Sequence, residues 1–254
     1  MNSPLTPTIT VPETFRAAIR AASRQPCSSP VLLDLSTLEN TGGTEERYCT
    51  AWLSTEERDR FSHFKLEKRK REWLAGRICA KIALHEYFSS HCQDQIWPAC
   101  TKFSIANSAT GRPLLIWNSS EPAPDISISH SGSLALAIAA QTCCGVDIQK
   151  TSEALVRVRE RFCTGREERL LQAVVHKDRP FLPLTLLWAA KEAAKKALSV
   201  TEMPGFLDLV LTRIETIGGE EWLLIFNQQQ ARLPSEIRVI TTYFRDYGLG
   251  VCIP

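Results

Sequence analysis

Glu192 and Lys196 lie four residues apart in the run Leu187-Trp188-Ala189-Ala190-Lys191-Glu192-Ala193-Ala194-Lys195-Lys196-Ala197-Leu198. At helical spacing they share a face, acid before base, which is the favourable order. A solvated pair on an amphipathic helix satisfies that spacing. So does a carboxylate and an ammonium that handle a phosphate together. Asp147, in Gly145-Val146-Asp147-Ile148-Gln149-Lys150, offers a second carboxylate. Strands disfavour Asp, and one between Val146 and Ile148 is expected to point away from the core face. It is either a strand-end Asp bonded to a nearby amide or a ligand for a hard cation such as magnesium. Glu192 would then be the other carboxylate ligand. Phosphate oxygens of a substrate would complete so sparse a metal site.

His130 is the next candidate, in Ser127-Ile128-Ser129-His130-Ser131-Gly132. A lone His is more often structural than catalytic. Here Ser129 and Ser131 flank it, and a cluster of donors at one turn suits an anionic phosphate. No G-x-S-x-G elbow is present, which argues against a Ser–His–Asp hydrolase.

These residues need elements to hold them. The Trp188 run is rich in strong helix formers and must stop by Pro204-Gly205. Other helical candidates are Glu13 to Ala22, Ser152 to Val158 and Glu167 to His176. A long helical region opens at Ser54, where Glu57 completes a capping box, and runs through Lys81. Strand candidates are Val31 to Leu35, Lys102 to Ile105, Leu114 to Trp117, Asp125 to Ser129, Leu134 to Ala140 and Val146 to Ile148. Four more follow: Leu209 to Leu211, Trp222 to Phe226, Ile237 to Ile240 and Leu249 to Ile253. The last should pair back as a hairpin across Arg245 to Gly248. Thr37 to Thr50 and His130 to Ser133 read as loop and turn, and Pro180 and Pro183 as punctuation before the Trp188 helix. Helices with a few antiparallel strands in each half indicate an α+β fold. The division falls near Gly145, giving an N-terminal half, 1–144, and a C-terminal half, 145–254.

With 254 residues, 44% of them hydrophobic and 23% charged, the chain can bury a core, and global disorder is excluded. A net charge of +2 does not by itself argue for nucleic acid. The nine cysteines are odd in number and none is spaced C-x-x-C. Free thiols in a reducing compartment are the expectation, without a zinc site or disulfide framework. Met1 to Thr10 has no secretory pattern, and no run of about 18 apolar residues is present. The expectation is a cytoplasmic protein with no membrane contact.

Gly111-Arg112-Pro113, Ser127 to Ser131, Gly145 to Ile148 and Trp188-x-x-Lys191-Glu192-Ala193-x-x-Lys196, in that order, resemble the 4′-phosphopantetheinyl transferases. Arg71 to Arg77 is similar to that family too. The resemblance runs from about Ser54 to Leu198 and points to the larger, monomeric class that activates synthetase carrier proteins. It implies a pseudo-dimer of two similar α+β halves with the active site in the cleft between them. It implies transfer of the 4′-phosphopantetheine arm of coenzyme A to a carrier-protein serine, in the manner of a holo-[acyl-carrier-protein] synthase. Adenosine 3′,5′-bisphosphate would leave. By the resemblance, Asp147 and Glu192 hold magnesium and Lys196 contacts the diphosphate. Ser129 and His130 match phosphate-binding positions, and Gly111, Arg112 and Pro113 match the adenine-side turn. Arg60 matches a basic position near the 3′-phosphate.

Gln149 stands where family members often carry Glu as a third metal ligand. Its amide oxygen can still face a cation, but the site loses one negative charge. Glu192 would take the serine proton, directly or through a water. Lys196, one turn on, would stabilise the leaving phosphate.

Two other readings stay open. A carrier-binding module that has lost catalysis fits Gln149. A nucleic-acid binder fits the basic residues between Arg58 and Lys81, although Glu56, Glu57, Asp59, Glu67 and Glu72 interleave with them. The expected protein partner is an acidic acyl or peptidyl carrier. Its expected dock is Thr151 to Lys177, where Arg157, Arg159, Arg161, Arg166, Arg169 and Lys177 accompany Leu155, Val158, Phe162, Leu170 and Leu171, with Arg58 to Lys81 as the other candidate segment.

Overall fold

The computed structural model describes residues 8–38, 44–91, 98–118, 122–175, 178–198, 203–228 and 234–254. In chain order the elements are β1 (Thr8–Ile9), α1 (Glu13–Ala22), β2 (Val31–Asp34), α2 (Thr44–Trp52), α3 (Thr55–Ser62) and α4 (Glu67–His91). There follow β3 (Ser104–Asn107), β4 (Pro113–Ile116), β5 (Asp125–Ser131), β6 (Leu134–Ala140) and β7 (Gly145–Lys150). The remainder are α5 (Ala154–Val158), α6 (Gly165–Val174), α7 (Leu182–Leu198), β8 (Val210–Gly218), β9 (Glu221–Asn227), β10 (Glu236–Phe244) and β11 (Tyr247–Cys252).

The chain forms two compact units. One comprises Met1–Thr10 and Gln25–Thr142, the other Val11–Arg24 and Cys143–Pro254. The division therefore differs from 1–144 and 145–254 mainly through α1, which packs on β10 of the second unit.

In the first unit the sheet order is β1-β2-β6-β5, and β3 pairs with β4 separately. All these pairings are antiparallel. Helix α4 lies on this sheet. Ala135, Ala137 and Ala139 of β6 share a core with Leu74, Ile78 and Leu84 of α4. Alternate small residues on the helix-facing side allow the close approach. Gly76 does the same, because a Cβ there would stand 3.0 Å from Ile128.

Three sequence expectations change in this unit. The stretch Thr37 to Thr50 includes the start of α2, whose Tyr48, Cys49 and Trp52 turn inward at helical spacing. Residues 39–43 of that stretch lie outside the described residues. His130 and Ser131 belong to β5, because Ser131 pairs with Leu134 and leaves only Gly132 and Ser133 to turn. Gly132 takes φ 56°, as a tight hairpin requires. The basic region from Arg58 to Lys81 is two helices, α3 and α4. Arg77 and Lys81 are buried, so they belong to no solvated basic face.

In the second unit the sheet order is β7-β11-β10-β9-β8, again antiparallel throughout. Helix α7 covers one face. Pro183 sits inside its first turn, where the missing N–H costs nothing. Ile237 and Val239 of β10 join the α7 core, so the alternate residues of that strand face the other way, toward α1. The outer edge, β8, carries register irregularities at Leu211/Arg213 and Thr216/Gly218. Such bulges blunt an exposed strand edge.

Both units repeat one device. In the first, Glu57 N–H donates to Ser54 Oγ (3.2 Å) and Ser54 N–H to Glu57 Oε2 (3.0 Å), a capping box at α3. The other oxygen of Glu57 accepts from Ile105 N–H of β3 (2.9 Å), and Lys81 Nζ lies 2.5 Å from Oε2. Lys81 also donates to the carbonyls of Cys100 and Phe103. In the second unit Thr164 and Glu167 cap α6 in the same way. Glu167 accepts from Leu211 N–H of β8 and pairs with Lys191 Nζ at 2.7 Å. Lys191 donates to the carbonyls of Phe162 and Phe206. The separation of glutamate and lysine is the same in both, 57 to 81 and 167 to 191. Both lysine side chains are 0% exposed. Burial holds both ammonium groups below the ordinary lysine range, and the paired glutamates pull them back. The α+β class is therefore correct, and the two halves are alike in a buried detail.

Candidate functional site

Asp147 sits on β7 opposite Gly250 of β11. Gly145 and Gly250 decide what Asp147 can reach. A Cβ at Gly145 would stand 1.9 Å from Ala193 O, and one at Gly250 would stand 2.7 Å from Ala189 O. The backbone of α7 thus rests on β7 and β11, with Ala189, Ala193 and Ala197 buried in the contact. Gly145, Asp147 and Gln149 alternate onto this helix-covered face. The expectation that Asp147 points away from the core face is corrected: Val146 and Ile148 take the opposite face, and Asp147 is 6% exposed beneath the flank of α7.

Lys196 Nζ donates to Asp147 Oδ1 at 2.8 Å and to Val146 O at 2.9 Å. Glu192, one turn earlier, is half-buried. Burial raises its carboxyl above the ordinary range, the charge of Asp147 raises it further, and Lys196 and Lys195 oppose the shift. Glu192 Oε1 lies 3.8 Å from Lys195 Nζ. The Glu–Lys spacing read from sequence thus serves two carboxylates, with Lys196 turned to Asp147. Gln149 donates its amide N–H to Lys150 O at 2.8 Å. The group it can turn to a cation is its carbonyl oxygen.

The donor set fits magnesium. Asp147 and Glu192 are hard oxygen ligands whose mutual repulsion a divalent cation would relieve. Among the described residues no group of three or more His, Cys, Asp or Glu could hold a metal. Two carboxylates and an amide would need further oxygens from elsewhere.

The remaining candidates belong to the first unit. Gly111 has φ 85° in a turn closed by Gly111 N–H to Ser108 O and Arg112 N–H to Ser108 Oγ. Pro113 then opens β4. Arg112 is braced by Asp125, with Nε to Oδ1 at 2.9 Å and a second contact from Nη2. His130 Nε2 lies 3.3 Å from Arg69 Nη1, and Glu72 stands 4.0 Å from its Nδ1. Ser129 is 7% exposed on the opposite face of β5. A strand alternates its side chains, so Ser129 and His130 do not form the single donor cluster expected of a turn. Arg60 is exposed in the last turn of α3.

The expected carrier dock also changes. Leu155, Phe162 and Leu171 are buried in the α7 core, so they offer no apolar surface. Arg159 lies 3.9 Å from Glu168, and Lys177 lies outside the described residues.

Sequence reasoning missed Asp125, Gly145, Gly250 and the role of Lys191. Glycine inside a strand is a signal of close backbone approach, and Gly145 and Gly250 carried it unread. Lys191 stood in the Trp188 motif with no structural role read for it. Trp188 is instead packed edge-on to Phe162 and tilted over Phe206, and Lys195 lies 3.7 Å over the Phe206 ring.

Residues 143–252 match the family described as the 4′-phosphopantetheinyl transferase superfamily. Asp147, Gln149, Glu192 and Lys196 all fall inside the match. The chain is 33% identical over 150 residues to enterobactin synthase component D from Escherichia coli O157:H7 and from Shigella flexneri. The match covers 56% of this chain and 60% of each relative, so the chain spans about three fifths of the length of those relatives. A solved holo-(acyl-carrier-protein) synthase from Bacillus anthracis strain Ames, in complex with CoA, is similar over 47% of this chain and 96% of its own, with 26% identity and a TM-score of 0.37.

Proposed function

We propose that this chain transfers the 4′-phosphopantetheine arm of coenzyme A to a serine hydroxyl of an acyl or peptidyl carrier protein. The observation that carries this is the convergence of Asp147, Glu192 and Lys196 where α7 rests on Gly145 and Gly250, inside the matched region. The serine oxygen bonds to the phosphorus that carries the pantetheine. The bond from that phosphorus to the bridging oxygen breaks, and adenosine 3′,5′-bisphosphate leaves.

Magnesium would be held by Asp147 and Glu192, with Gln149 O as a third donor, and would neutralise diphosphate charge. Glu192 accepts the serine proton, directly or through a water. Lys196 holds a positive charge 2.8 Å from Asp147 and stabilises the negative charge that develops on the leaving phosphate. Arg60, Gly111, Arg112, Pro113, Ser129 and His130 are assigned to the nucleotide end of coenzyme A. The Asp125 brace on Arg112 supports a fixed guanidinium there. The partner is an acidic carrier protein, the enzyme acts as a monomer in the cytoplasm, and a holo-[acyl-carrier-protein] synthase type is the finer form of the same proposal.

The test is incubation with coenzyme A, magnesium and a panel of apo carrier proteins, read by intact mass. Gain of one phosphopantetheine arm is the expected result. Binding of a carrier without any gain in mass across the panel would overturn the reading in favour of a non-catalytic binding module.

A further inference from the structure

Trp188, Glu192 and Lys195 stand four and three residues apart on α7, so they share one side of the helix. The Lys195 ammonium lies 3.8 Å from Glu192 Oε1 and 3.7 Å over the Phe206 ring, and its side chain is only 14% exposed. The ring is itself fixed. Trp188 lies against it with ring centroids 4.9 Å apart, and buried Lys191 donates to the Phe206 carbonyl at 3.0 Å. Lys195 is therefore not a loose surface lysine, because the electron-rich face of a held ring keeps its charge in place. Lys196, the next residue, turns its ammonium to Asp147 at 2.8 Å. Two carboxylates and two ammonium groups thus gather along this side of α7, and their formal charges sum to zero.

We propose that Lys195 is a positioning residue: it is the counter-ion of Glu192, it weakens metal binding by the chain alone, and it makes firm binding wait for the negative charge of a diphosphate. The inference rests on the assignment of Asp147 and Glu192 to magnesium. A divalent cation held by Glu192 would stand close to the Lys195 ammonium, and like charges at such range repel even through water. Neutral as a set, the four groups offer a free divalent cation little net attraction. A diphosphate brings negative charge to the same place and restores the attraction. Such coupling is reciprocal, so the cation must in turn tighten the binding of the diphosphate. The two lysines are not equivalent. Lys196 is 28% exposed and can turn from Asp147 to a phosphate. Lys195 is half as exposed, is pinned over Phe206 and stays beside Glu192.

The probe is manganese, which takes the same oxygen ligands as magnesium and whose free ion is counted by its EPR signal. It is titrated into the whole chain without coenzyme A. Lys195→Met keeps an unbranched side chain over Phe206 and removes the charge. Manganese should then bind about tenfold more tightly than to the wild type, the equivalent of ~1.4 kcal/mol. Lys195→Arg keeps the charge and should keep the wild-type affinity. Coenzyme A should tighten manganese binding in the wild type, and by a smaller factor in Lys195→Met. Thermal melting is measured first, and Lys195→Gln replaces the methionine variant should that one melt early. An unchanged or weaker affinity in Lys195→Met, or an arginine variant that behaves like it, would overturn the inference. Asp147→Asn tells this failure from that of the transferase reading. If Asp147→Asn binds manganese as the wild type does, the metal assignment fails and the role of Lys195 with it. If it loses binding while Lys195→Met matches the wild type, only the role of Lys195 falls.

Discussion

Lys196 donates to Asp147 across the contact between α7 and β7, at 2.8 Å, and to the carbonyl of Val146 beside it. The two residues are far apart in the chain, and two glycines make the meeting possible. Asp147 is buried, whereas the Lys196 side chain is 28% exposed and reachable by water. Asp147→Asn should therefore change stability by only about 1 kcal/mol or less, in line with partly solvated ion pairs. Transfer should fall by about two orders of magnitude or more, since the proposed metal would lose a ligand. Intact-mass kinetics and urea unfolding measure the two effects separately. A fully active Asp147→Asn enzyme would remove Asp147 from the metal.

Gly145→Ala places a methyl group 1.9 Å from Ala193 O, against backbone that has no side chain to yield. Either α7 lifts or β7 shifts. The expected loss is about 1–3 kcal/mol or more, as for overpacked cores. The same displacement separates Glu192 and Lys196 from Asp147, so the magnesium concentration for half-maximal transfer should rise. Gly219→Ala has nothing within 4 Å of the added carbon and serves as the neutral control. If the two variants unfold at the same urea concentration, α7 does not rest on Gly145.

Gln149 shares the α7-facing side of β7 with Asp147. Gln149→Glu adds a third carboxylate, and repulsion among the three is relieved only when a cation binds. Half-maximal magnesium should fall about tenfold, or ~1.4 kcal/mol, in titrations with coenzyme A. An unchanged magnesium requirement would show that residue 149 does not face the metal.

Lys191→Ala leaves Glu167 buried without its cation and frees the carbonyls of Phe162 and Phe206. A loss of about 3–5 kcal/mol is expected. The double variant Lys191→Met/Glu167→Gln should recover part of it, because the stranded charge is gone. Lys81→Ala should cost a similar amount through Glu57. Chemical denaturation of Lys191→Met, Glu167→Gln and their double variant checks this, and strict additivity of the two single variants would dismiss the pairing.

Arg60 is assigned to the 3′-phosphate of coenzyme A. Dephospho-coenzyme A should bind more weakly than coenzyme A to the wild type. Arg60→Ala should erase much of that difference, since the partner of the missing phosphate is already absent. Isothermal titration of both ligands into both proteins settles the assignment. Equal discrimination in the two would put Arg60 elsewhere.

Much of this architecture was legible in the chain. Helix α1 spans the expected Glu13 to Ala22, and β6 spans the expected Leu134 to Ala140. The Ser54–Glu57 capping box formed as read, because a cap is local chemistry between residues three apart. The strands toward the C-terminus were recognised but cut short, β8 most of all. Its outer half has little apolar pattern to announce it, and the pairing with β9 extends it.

What sequence alone determined was the local frames of the candidate residues: Glu192 and Lys196 one helical turn apart, Asp147 and Gln149 two residues apart on a strand. Those relations follow from fixed backbone periods. Which face of β7 meets α7 was decided only by tertiary packing, because residues 145–148 are buried on both faces and their hydrophobicity has no direction to read. The same holds for Lys191 and Lys81. Each looks like a helix-surface cation in the chain. Each becomes a buried tie only because a capping-box glutamate and two backbone carbonyls, brought from other elements, offer the acceptors that a buried ammonium requires.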